Sequence, residues 1–281
     1  MDSIGDRRAS FAKLHESGCF VIPNPWDVGS ARFLRHLGFR ALATTSAGFQ
    51  FTRGQADTVW GSPRDVVLAH VAEIVAATDL PVNADFQSGY AHDPEGVAAN
   101  VALCVDTGVA GLSIEDATGD PGQLYELSFA VRRIRAARDA IAAKGAPVLL
   151  TARAESYLTG RPEPLEDALR RLTAYAEAGA DVLFAPGPRT REELRAIVRA
   201  VAPKPVNAIV TANIGFTVAD LADLGVRRIS VGSALARTAW GGFIRAARAI
   251  AERGSFEGFD GAAPFAELNA VFSADRHADA D

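Results

Sequence analysis

Eight short apolar runs recur along this chain, and polar residues follow nearly all of them. The runs are residues 19–23, 37–43, 81–84, 108–114, 147–150, 179–184, 205–209 and 225–231. Each has the length of a strand that is buried on both faces. They are separated by roughly 20–45 residues, which leaves room for one helix after each strand. The pattern predicts an α/β protein with a closed (β/α)₈ TIM barrel, a fold that takes about 250 residues.

The whole chain, residues 1–281, is expected to form one barrel domain, because 281 residues with 48% hydrophobic content can bury a large core. The net charge is −5 and no basic stripe is present, which argues against nucleic acid as a partner. No apolar run approaches the ~18 residues of a membrane span, so no membrane association is expected. Cys19 and Cys104 do not make a disulfide framework, which favours a cytoplasmic location.

A short apolar-faced helix is predicted after the barrel, over residues 262–273, and residues 274–281 read as a frayed polar tail. An extra helix with an apolar stripe needs a surface to cover it. Two covering surfaces remain open, namely the protein's own barrel and a neighbouring subunit.

Charged residues end three consecutive predicted strands, at the edge where barrels of this kind carry their active sites. Asp85 ends the third strand, Glu115 the fourth and Arg153 the fifth. Carboxylates that converge there would suit Mg²⁺ or Mn²⁺, and a guanidinium could grip a substrate carboxylate. The structural alternatives are a loop-capping aspartate at Asp85 and an ion pair between Glu115 and Arg153. Asp116 faces the other way in a strand of period two, which favours a structural role.

Other polar or aromatic groups follow the first, second and seventh strands. Thr45, Ser46 and Ala47 offer hydroxyl and backbone N–H groups that could bind an oxyanion, although the same residues also suit an ordinary turn. Trp26 could line the pocket or pack between loop and barrel. Asn207 could donate to a substrate oxygen or serve the barrel alone. No histidine lies at a strand end, so no histidine base is expected.

These residues together resemble the isocitrate lyase/phosphoenolpyruvate mutase superfamily, and the resemblance runs from Phe20 to about Gly241. The segments that carry it are Asn24-Pro25-Trp26-Asp27, Thr44-Thr45-Ser46-Ala47-Gly48, Asp85 with Ser88-Gly89-Tyr90, Ile114-Glu115-Asp116, Ala152-Arg153 and Tyr175 to Asp181. The resemblance implies a (β/α)₈ barrel whose last helix is swapped between subunits, giving a homo-oligomer, either a dimer or a tetramer. It also implies Mg²⁺ (or Mn²⁺) that chelates a small-molecule 2-oxo acid or its enolate.

The same resemblance implies roles for individual residues. Asp85 is similar to the central metal ligand, and Glu115 and Asp57 are similar to acids that hold metal-bound water. Arg153 resembles the clamp on the substrate carboxylate. The Thr45-Ser46-Ala47 segment resembles the loop that binds the carboxylate of a 2-oxo acid.

Three departures from the family's pattern bear on activity. Gln87 stands where a second acid is usual, and its amide could still bond to metal-bound water. The loop over residues 117–123 is short and holds no Lys-Cys-Gly-His-like motif, which argues against isocitrate or methylisocitrate cleavage. Ala185 follows the sixth strand where some members carry histidine.

The sequence therefore predicts a lyase that breaks the bond at C3 of a small 2-oxo acid through an enolate, in the manner of an oxaloacetate decarboxylase. In this hypothesis Asp57, Arg153 and Thr45 are the catalytic residues. Thr45, Ser46, Ala47, Trp26, Arg153 and Asn207 bind substrate, and Asp85 and Glu115, with Gln87 and Asp57 through water, hold the metal. Two alternatives stay open: a phosphonomutase or phosphonopyruvate hydrolase acting on a P–C bond, and a 2-oxo acid binder without activity.

Overall fold

A ring of eight parallel strands forms the core of the protein. The structure is a computed structural model and describes residues 3–278. The strands β1 to β8 are Phe20–Ile22, Leu42–Ala43, Val82–Asp85, Gly111–Glu115, Leu149–Arg153, Val182–Phe184, Val206–Ile209 and Arg228–Ser230. Each overlaps one of the eight predicted runs, and each pairs in parallel with its neighbour in the order β1-β8-β7-β6-β5-β4-β3-β2. The predicted (β/α)₈ barrel is confirmed.

The seam between β1 and β2 is closed by hydrogen bonds just past the ends of the strands. The N–H of Ala43 donates to the carbonyl of Pro23 at 3.0 Å. The Asn24 side chain donates to the carbonyl of Thr44 at 2.9 Å. The same side chain accepts from the amide of Gly232, beyond β8, at 2.8 Å. One buried amide therefore joins the carboxyl ends of three strands.

Helices alternate with the strands and form the outer layer. The helices α1 to α11 are Ile4–Leu14, Val28–His36, Ser46–Thr52, Arg64–Ala76, Pro94–Asp106, Leu127–Ala143, Pro164–Glu177, Arg191–Val201, Val218–Asp223, Ala234–Arg253 and Phe265–Ala278, with a 3₁₀ turn at Glu257–Gly261 before the last. Among the described residues, the helices are too short or too polar to cross a membrane. Asp27 caps α2, and its carboxylate accepts from the N–H of Ser30 at 2.7 Å.

Helix α1 closes the amino end of the barrel. Phe11 is fully buried, and it packs with Leu14 against Phe20 and Ile22 of β1 in one apolar cluster. The Arg8 side chain ties the helix to the barrel by donating to backbone carbonyls that include that of Val109, at 2.9 Å. Polar groups that could act on a ligand are thus left to the opposite, carboxyl end.

The last helix, α11, lies against α2 of the same chain. Val271 is buried, and the ring of Phe272 approaches Gly29 of α2. The helix continues to Ala278, five residues past its predicted end at residue 273. Residues 279–281 of the predicted frayed tail lie outside the described residues. The first turn of the helix presents Phe265 to solvent with 86% of its surface exposed.

Candidate active site at the carboxyl end of the barrel

Three charged side chains converge at the mouth of the barrel, as predicted. Glu115 and Arg153 are direct neighbours in the register of β4 and β5. The Nη1 atom of Arg153 lies 3.3 Å from Oε2 of Glu115 and 3.8 Å from Oδ1 of Asp85. Its Nε atom pairs with Glu155, so one guanidinium faces three carboxylates. The ion pair between Glu115 and Arg153, which the sequence offered as a structural alternative, is therefore present.

Burial makes these charges depend on one another. Burial raises the pKa of the Glu115 carboxyl, while Arg153 opposes the shift. Burial disfavours the charge of Arg153, but the carboxylates of Glu155, Glu115 and Asp85 outweigh it and raise the pKa of the guanidinium. Arg153 is thus a permanent cation, and the mouth holds an excess of acid around it.

Helix α3 points its first turn at Asp85. The amide of Ser46, the first residue of the helix, donates to Oδ2 of Asp85 at 2.9 Å. The hydroxyl of Thr45 caps the helix by accepting from the amide of Gly48 at 3.2 Å. The first amides of a helix have no intrahelical acceptor, so the N–H of Ala47 is also directed outward from the helix start. The predicted Thr45-Ser46-Ala47 segment therefore stands beside Asp85.

Trp26 packs beside the same helix start. A Cβ atom on Gly48 would meet Cγ2 of Thr45 at 2.6 Å and Cβ of Trp26 at 3.0 Å. Only glycine allows this approach between α3 and the β1 loop. Trp26 is half-buried, which is compatible with both its predicted roles, pocket lining and loop packing.

Asp57 lies on the connection between α3 and α4, residues 53–63, here called the Asp57 loop. Its side chain is exposed, yet loss of hydration and the nearby Asp85 carboxylate raise the pKa of Asp57, and Arg153 opposes the shift. The structure thus brings Asp57 into the electrostatic field of the mouth. Its place in the loop alone would suggest an ordinary surface acid.

Gln87 follows β3 but turns its side chain toward the Asp57 loop. Its Nε2 donates to the carbonyl of Thr58 at 3.0 Å, and its Oε1 accepts from the hydroxyl of Tyr90 at 2.9 Å. The predicted contact of Gln87 with metal-bound water stays a prediction. The sequence carries no signal for the contact with Thr58.

The short segment after β4 forms a tight hairpin over residues 117–124. Ala117 and Leu124 pair across it, and the indole N–H of Trp60 donates to the carbonyl of Thr118 at 3.2 Å. A Cβ atom on Gly119, where φ is +96°, would lie 2.1 Å from Nε1 of Trp60. The hairpin is therefore joined to the Asp57 loop through one tryptophan, a contact that sequence reasoning missed.

Asp116 faces away from the mouth, as its position in the strand predicts. Its carboxylate accepts from the hydroxyl of Tyr175 at 2.6 Å, from Arg171 at 3.1 Å and from the amide of Glu155 at 2.9 Å. Burial raises the pKa of Asp116 despite these partners. The buried pair with Arg171 supports the loop that carries Glu155, the partner of Arg153.

A polar layer lies one step below the mouth and centres on Arg228. This buried guanidinium donates to Oδ1 of Asn207 at 2.8 Å and to the hydroxyl of Thr151 at 3.0 Å. Thr151 precedes Arg153 by two residues on β5, so the two side chains occupy successive layers of the same face. Asn207 also donates to Ser230 at 3.0 Å. The structure places Asn207 in this layer, apart from the three mouth residues, and its substrate contact stays a prediction.

Burial lowers the pKa of Arg228 to about 9. Sequence reasoning missed this residue. The signal available was a charged residue inside an apolar run, at the second of two consecutive arginines, Arg227 and Arg228. Such a residue is expected to be buried among polar partners when the strand is covered on both faces.

The donor set at the mouth fits a hard divalent cation that keeps much of its water. Asp85 and Glu115 supply carboxylate oxygens from adjacent strands, and Asp57 lies near them on its loop. Among residues 3–273, whose side chains the structure describes, no three His, Cys, Asp or Glu side chains converge closely enough to enclose a metal ion. Mg²⁺ commonly binds through one or two carboxylates with water filling its other positions.

Comparison with known proteins agrees with this geometry. The family described as phosphoenolpyruvate phosphomutase matches residues 11–251. A crystal structure of a protein assigned as a lyase/mutase from Burkholderia cenocepacia J2315 superposes with a TM-score of 0.92 at 45% identity, over 97% of this chain and 98% of that one. The oxaloacetate decarboxylase of Paraburkholderia xenovorans (strain LB400) is 30% identical over 79% of this chain and 73% of its own length.

An oxaloacetate acetylhydrolase in complex with the inhibitor 3,3-difluorooxalacetate gives a TM-score of 0.87 at 25% identity, over 100% of this chain and 97% of that one.

Proposed function

This chain belongs to the phosphoenolpyruvate phosphomutase family, within the isocitrate lyase/phosphoenolpyruvate mutase superfamily of lyases and mutases, and on that basis we propose a specific activity for it. The protein is a Mg²⁺-dependent lyase that breaks the bond at C3 of a small 2-oxo acid through an enolate. The observation that carries the proposal is the convergence of Asp85, Glu115 and Arg153 beside the first turn of α3. An acid cluster would hold the cation there, and amides and a guanidinium would hold the substrate.

The metal would be held by Asp85 and Glu115, with Asp57 bonding to its water. When bound, Mg²⁺ supplies Lewis-acid polarisation of the 2-oxo group and stabilises negative charge on that oxygen. Mn²⁺ has the same oxygen preference and would substitute for it.

The chain's own groups bind and orient the substrate. The amides of Ser46 and Ala47 and the hydroxyl of Thr45 would receive the 1-carboxylate, since they lie at the start of α3 beside Asp85. Arg153 keeps its charge, because its carboxylate partners raise its pKa, and can exchange Glu115 for a substrate carboxylate. Trp26 would border the pocket beside α3.

The bond-breaking step needs little acid–base equipment. With oxaloacetate, the C3–C4 bond breaks, carbon dioxide leaves, and the electron pair remains on the C2–C3 unit as an enolate. A proton from water at C3 then gives pyruvate. Neither cysteine is placed to help, since Cys104 is buried in α5 and Cys19 lies at the amino end of β1.

The names of the relatives favour oxaloacetate as the first substrate to test, because one is an oxaloacetate decarboxylase and another binds a difluoro analogue of oxaloacetate. A P–C bond reaction is the second candidate, favoured by the family's description as a phosphomutase. Its substrate would be phosphonopyruvate or a related phosphonate.

The deciding experiment measures binding and turnover of oxalate, oxaloacetate, 2-oxoglutarate and phosphonopyruvate with Mg²⁺ and with chelator. We expect Mg²⁺-dependent oxalate binding and pyruvate release from oxaloacetate above the rate without enzyme. Both should be lost in Asp85→Ala and kept in Asp65→Ala, an exposed acid on α4. Full metal-dependent activity in Asp85→Ala would contradict the proposal. Inorganic phosphate or phosphoenolpyruvate formed from phosphonopyruvate would support the P–C alternative, and binding without turnover would support a 2-oxo acid binder.

A further inference from the structure

Gln87 adopts a backbone conformation that side-chain-bearing residues rarely take. Its φ is +44°, and Tyr90, three residues on, has a φ of +54°. Non-glycine residues stay in the left-handed region when the surrounding structure fixes them there, and such residues cluster at functional sites. The turn after Asp85 is therefore built to aim particular side chains.

The Gln87 side chain uses both ends of its amide. Its Nε2 donates to the carbonyl of Thr58, and its Oε1 accepts from the Tyr90 hydroxyl. The side chain is buried, with 4% of its surface exposed. A carboxylate at this position has no proton to donate and would oppose the carbonyl of Thr58. The contact therefore depends on a side chain with a proton to donate, which the amide supplies at every pH.

Thr58 is also held from the other side. Gln50 of α3 receives the N–H of Thr58 on Oε1 at 3.0 Å and donates from Nε2 to its carbonyl at 3.0 Å. The same carbonyl accepts from the amide of Gly61 at 3.0 Å. Two buried glutamine amides from different elements thus fix the residue next to Asp57.

We infer that Gln87 is a positioning residue that sets the Asp57 loop against the mouth. The inference rests on the proposed function for the role of Asp57 at the metal. In this chain the residue two places after Asp85 contributes a fixed loop instead of a second acid. The hairpin contact of Trp60 holds the later part of the loop separately.

The test compares Gln87→Glu and Gln87→Met by hydrogen exchange of the Asp57 loop in metal-free, ligand-free protein. Glutamate keeps the shape of the side chain and loses the donor, and methionine keeps the length and loses both polar ends. The matched control is Gln123→Met, in the neighbouring hairpin, where the side chain is exposed. We expect the amides of Thr58 and Gly61, which donate hydrogen bonds to Gln50 and to the Thr58 carbonyl, to exchange at least about tenfold faster in both Gln87 variants, with the control unchanged.

Three results would overturn the inference. These are unchanged exchange in both variants, faster exchange in methionine with protection retained in glutamate, and faster exchange in glutamate alone. The second would mean that an acid serves as well as the amide, and the third that added charge, not the lost donor, loosens the loop. Because Gln87→Glu is nearly isosteric, it keeps the test informative if Gln87→Met does not fold.

A kinetic readout separates positioning from general support of the fold. With oxaloacetate, Gln87→Met should lower kcat about tenfold and leave KM within about twofold, because Arg153 and the α3 amides are untouched. Equal changes in kcat and KM would count against positioning. The exchange measurement needs neither metal nor substrate. If the wild type has no activity but the Gln87 variants still exchange faster, the proposed function is refuted and the role of Gln87 in the loop is not.

Discussion

Nη1 of Arg153 lies 3.3 Å from Oε2 of Glu115 and 3.8 Å from Oδ1 of Asp85, the two carboxylates that would hold the proposed metal ion. The guanidinium and the proposed cation would therefore both neutralise the negative charge of Glu115 and Asp85. Removal of a partner from a buried ion pair costs roughly 3–5 kcal/mol, because the remaining charge is uncompensated. Arg153 and Glu115 are buried enough for that range to apply, with 19% and 9% of their side chains exposed.

The first prediction follows from that competition. Arg153→Met should lower the free energy of unfolding by about 3 kcal/mol without metal, and Mg²⁺ should recover a larger part of it than Mg²⁺ adds to the wild type. Thermal denaturation with and without Mg²⁺ measures both effects. Lys144→Met, on an exposed ion pair with Asp106, is the control and should change little. An equal Mg²⁺ increment in Arg153→Met and wild type would refute the idea.

Asp116 should behave as a structural acid although it adjoins Glu115. Asp116→Ala takes one of two carboxylate partners from the buried Arg171, which keeps Asp167, and takes the acceptor from the Tyr175 hydroxyl and the Glu155 amide. Buried donors left without an acceptor cost about 1–3 kcal/mol each, so the variant should lose about 3–5 kcal/mol of unfolding free energy. At a temperature where the variant is folded, its Mg²⁺ affinity should stay within about threefold of the wild type. Denaturant titration and calorimetry give the two quantities. A loss of Mg²⁺ binding as large as in Asp85→Ala would place Asp116 in the metal site.

Two buried histidines should weaken the fold in acid. Burial lowers the pKa of His15 to about 3 and that of His70 to about 4. In the unfolded chain each ring takes up a proton near pH 6.5. The unfolded state therefore binds more protons below that pH, and stability falls as pH drops from about 6.5 toward 4, by up to about 1.4 kcal/mol per pH unit for each histidine.

Urea titrations across pH 4–7 measure this slope. His70→Leu should reduce the slope in that window, because one of the two groups no longer titrates. The matched control is His36→Leu, on the surface of α2, which should leave the slope unchanged. An identical slope in His70→Leu and wild type would show that His70 does not resist protonation in the fold.

The link between Trp60 and the hairpin should fail in Gly119→Ala. The new methyl would stand 2.1 Å from Nε1 of Trp60, at a backbone angle that disfavours a side chain by roughly 1–2 kcal/mol. We expect faster hydrogen exchange in the hairpin 117–124. Gly122→Ala, also at positive φ but with only a distant backbone neighbour, separates strain from collision with the indole. Equal effects of the two substitutions would leave no role for Trp60.

We propose that the exposed aromatic surface of α10 and the segment after it packs against a second copy of this chain. Phe243, Phe256 and Phe265 have 61%, 65% and 86% of their surface exposed, and large exposed apolar patches mark protein interfaces. Light scattering should give the molar mass of a dimer or tetramer, and Phe243→Asp should lower the measured mass toward that of the monomer. Leu158→Asp, on an exposed loop leucine elsewhere, should not. A monomeric wild type at micromolar concentration would refute this packing.

The barrel and its mouth were open to prediction because they depend on local pattern. Asp85 and Glu115 directly follow an apolar run and Arg153 comes three residues after one, so their convergence follows from the parallel sheet alone. The bonds of Gln87 and Gln50 to Thr58, and the contact of Trp60 with the hairpin, depend on how two loops meet in space. No periodicity encodes such a meeting. The burial of Arg228 was missed for another reason. Buried arginines whose partners are neutral oxygens are rare, so an exposed, solvated charge is the default expectation.

Helix α1 closes the amino end of the barrel, where Phe11 is fully buried against β1. Whatever enters the mouth must also leave by it. Substrate must therefore enter, and product leave, through the same opening, and a bound product molecule blocks the binding of the next substrate. On the proposed function, pyruvate should therefore inhibit oxaloacetate turnover competitively, raising the apparent KM without lowering the limiting rate.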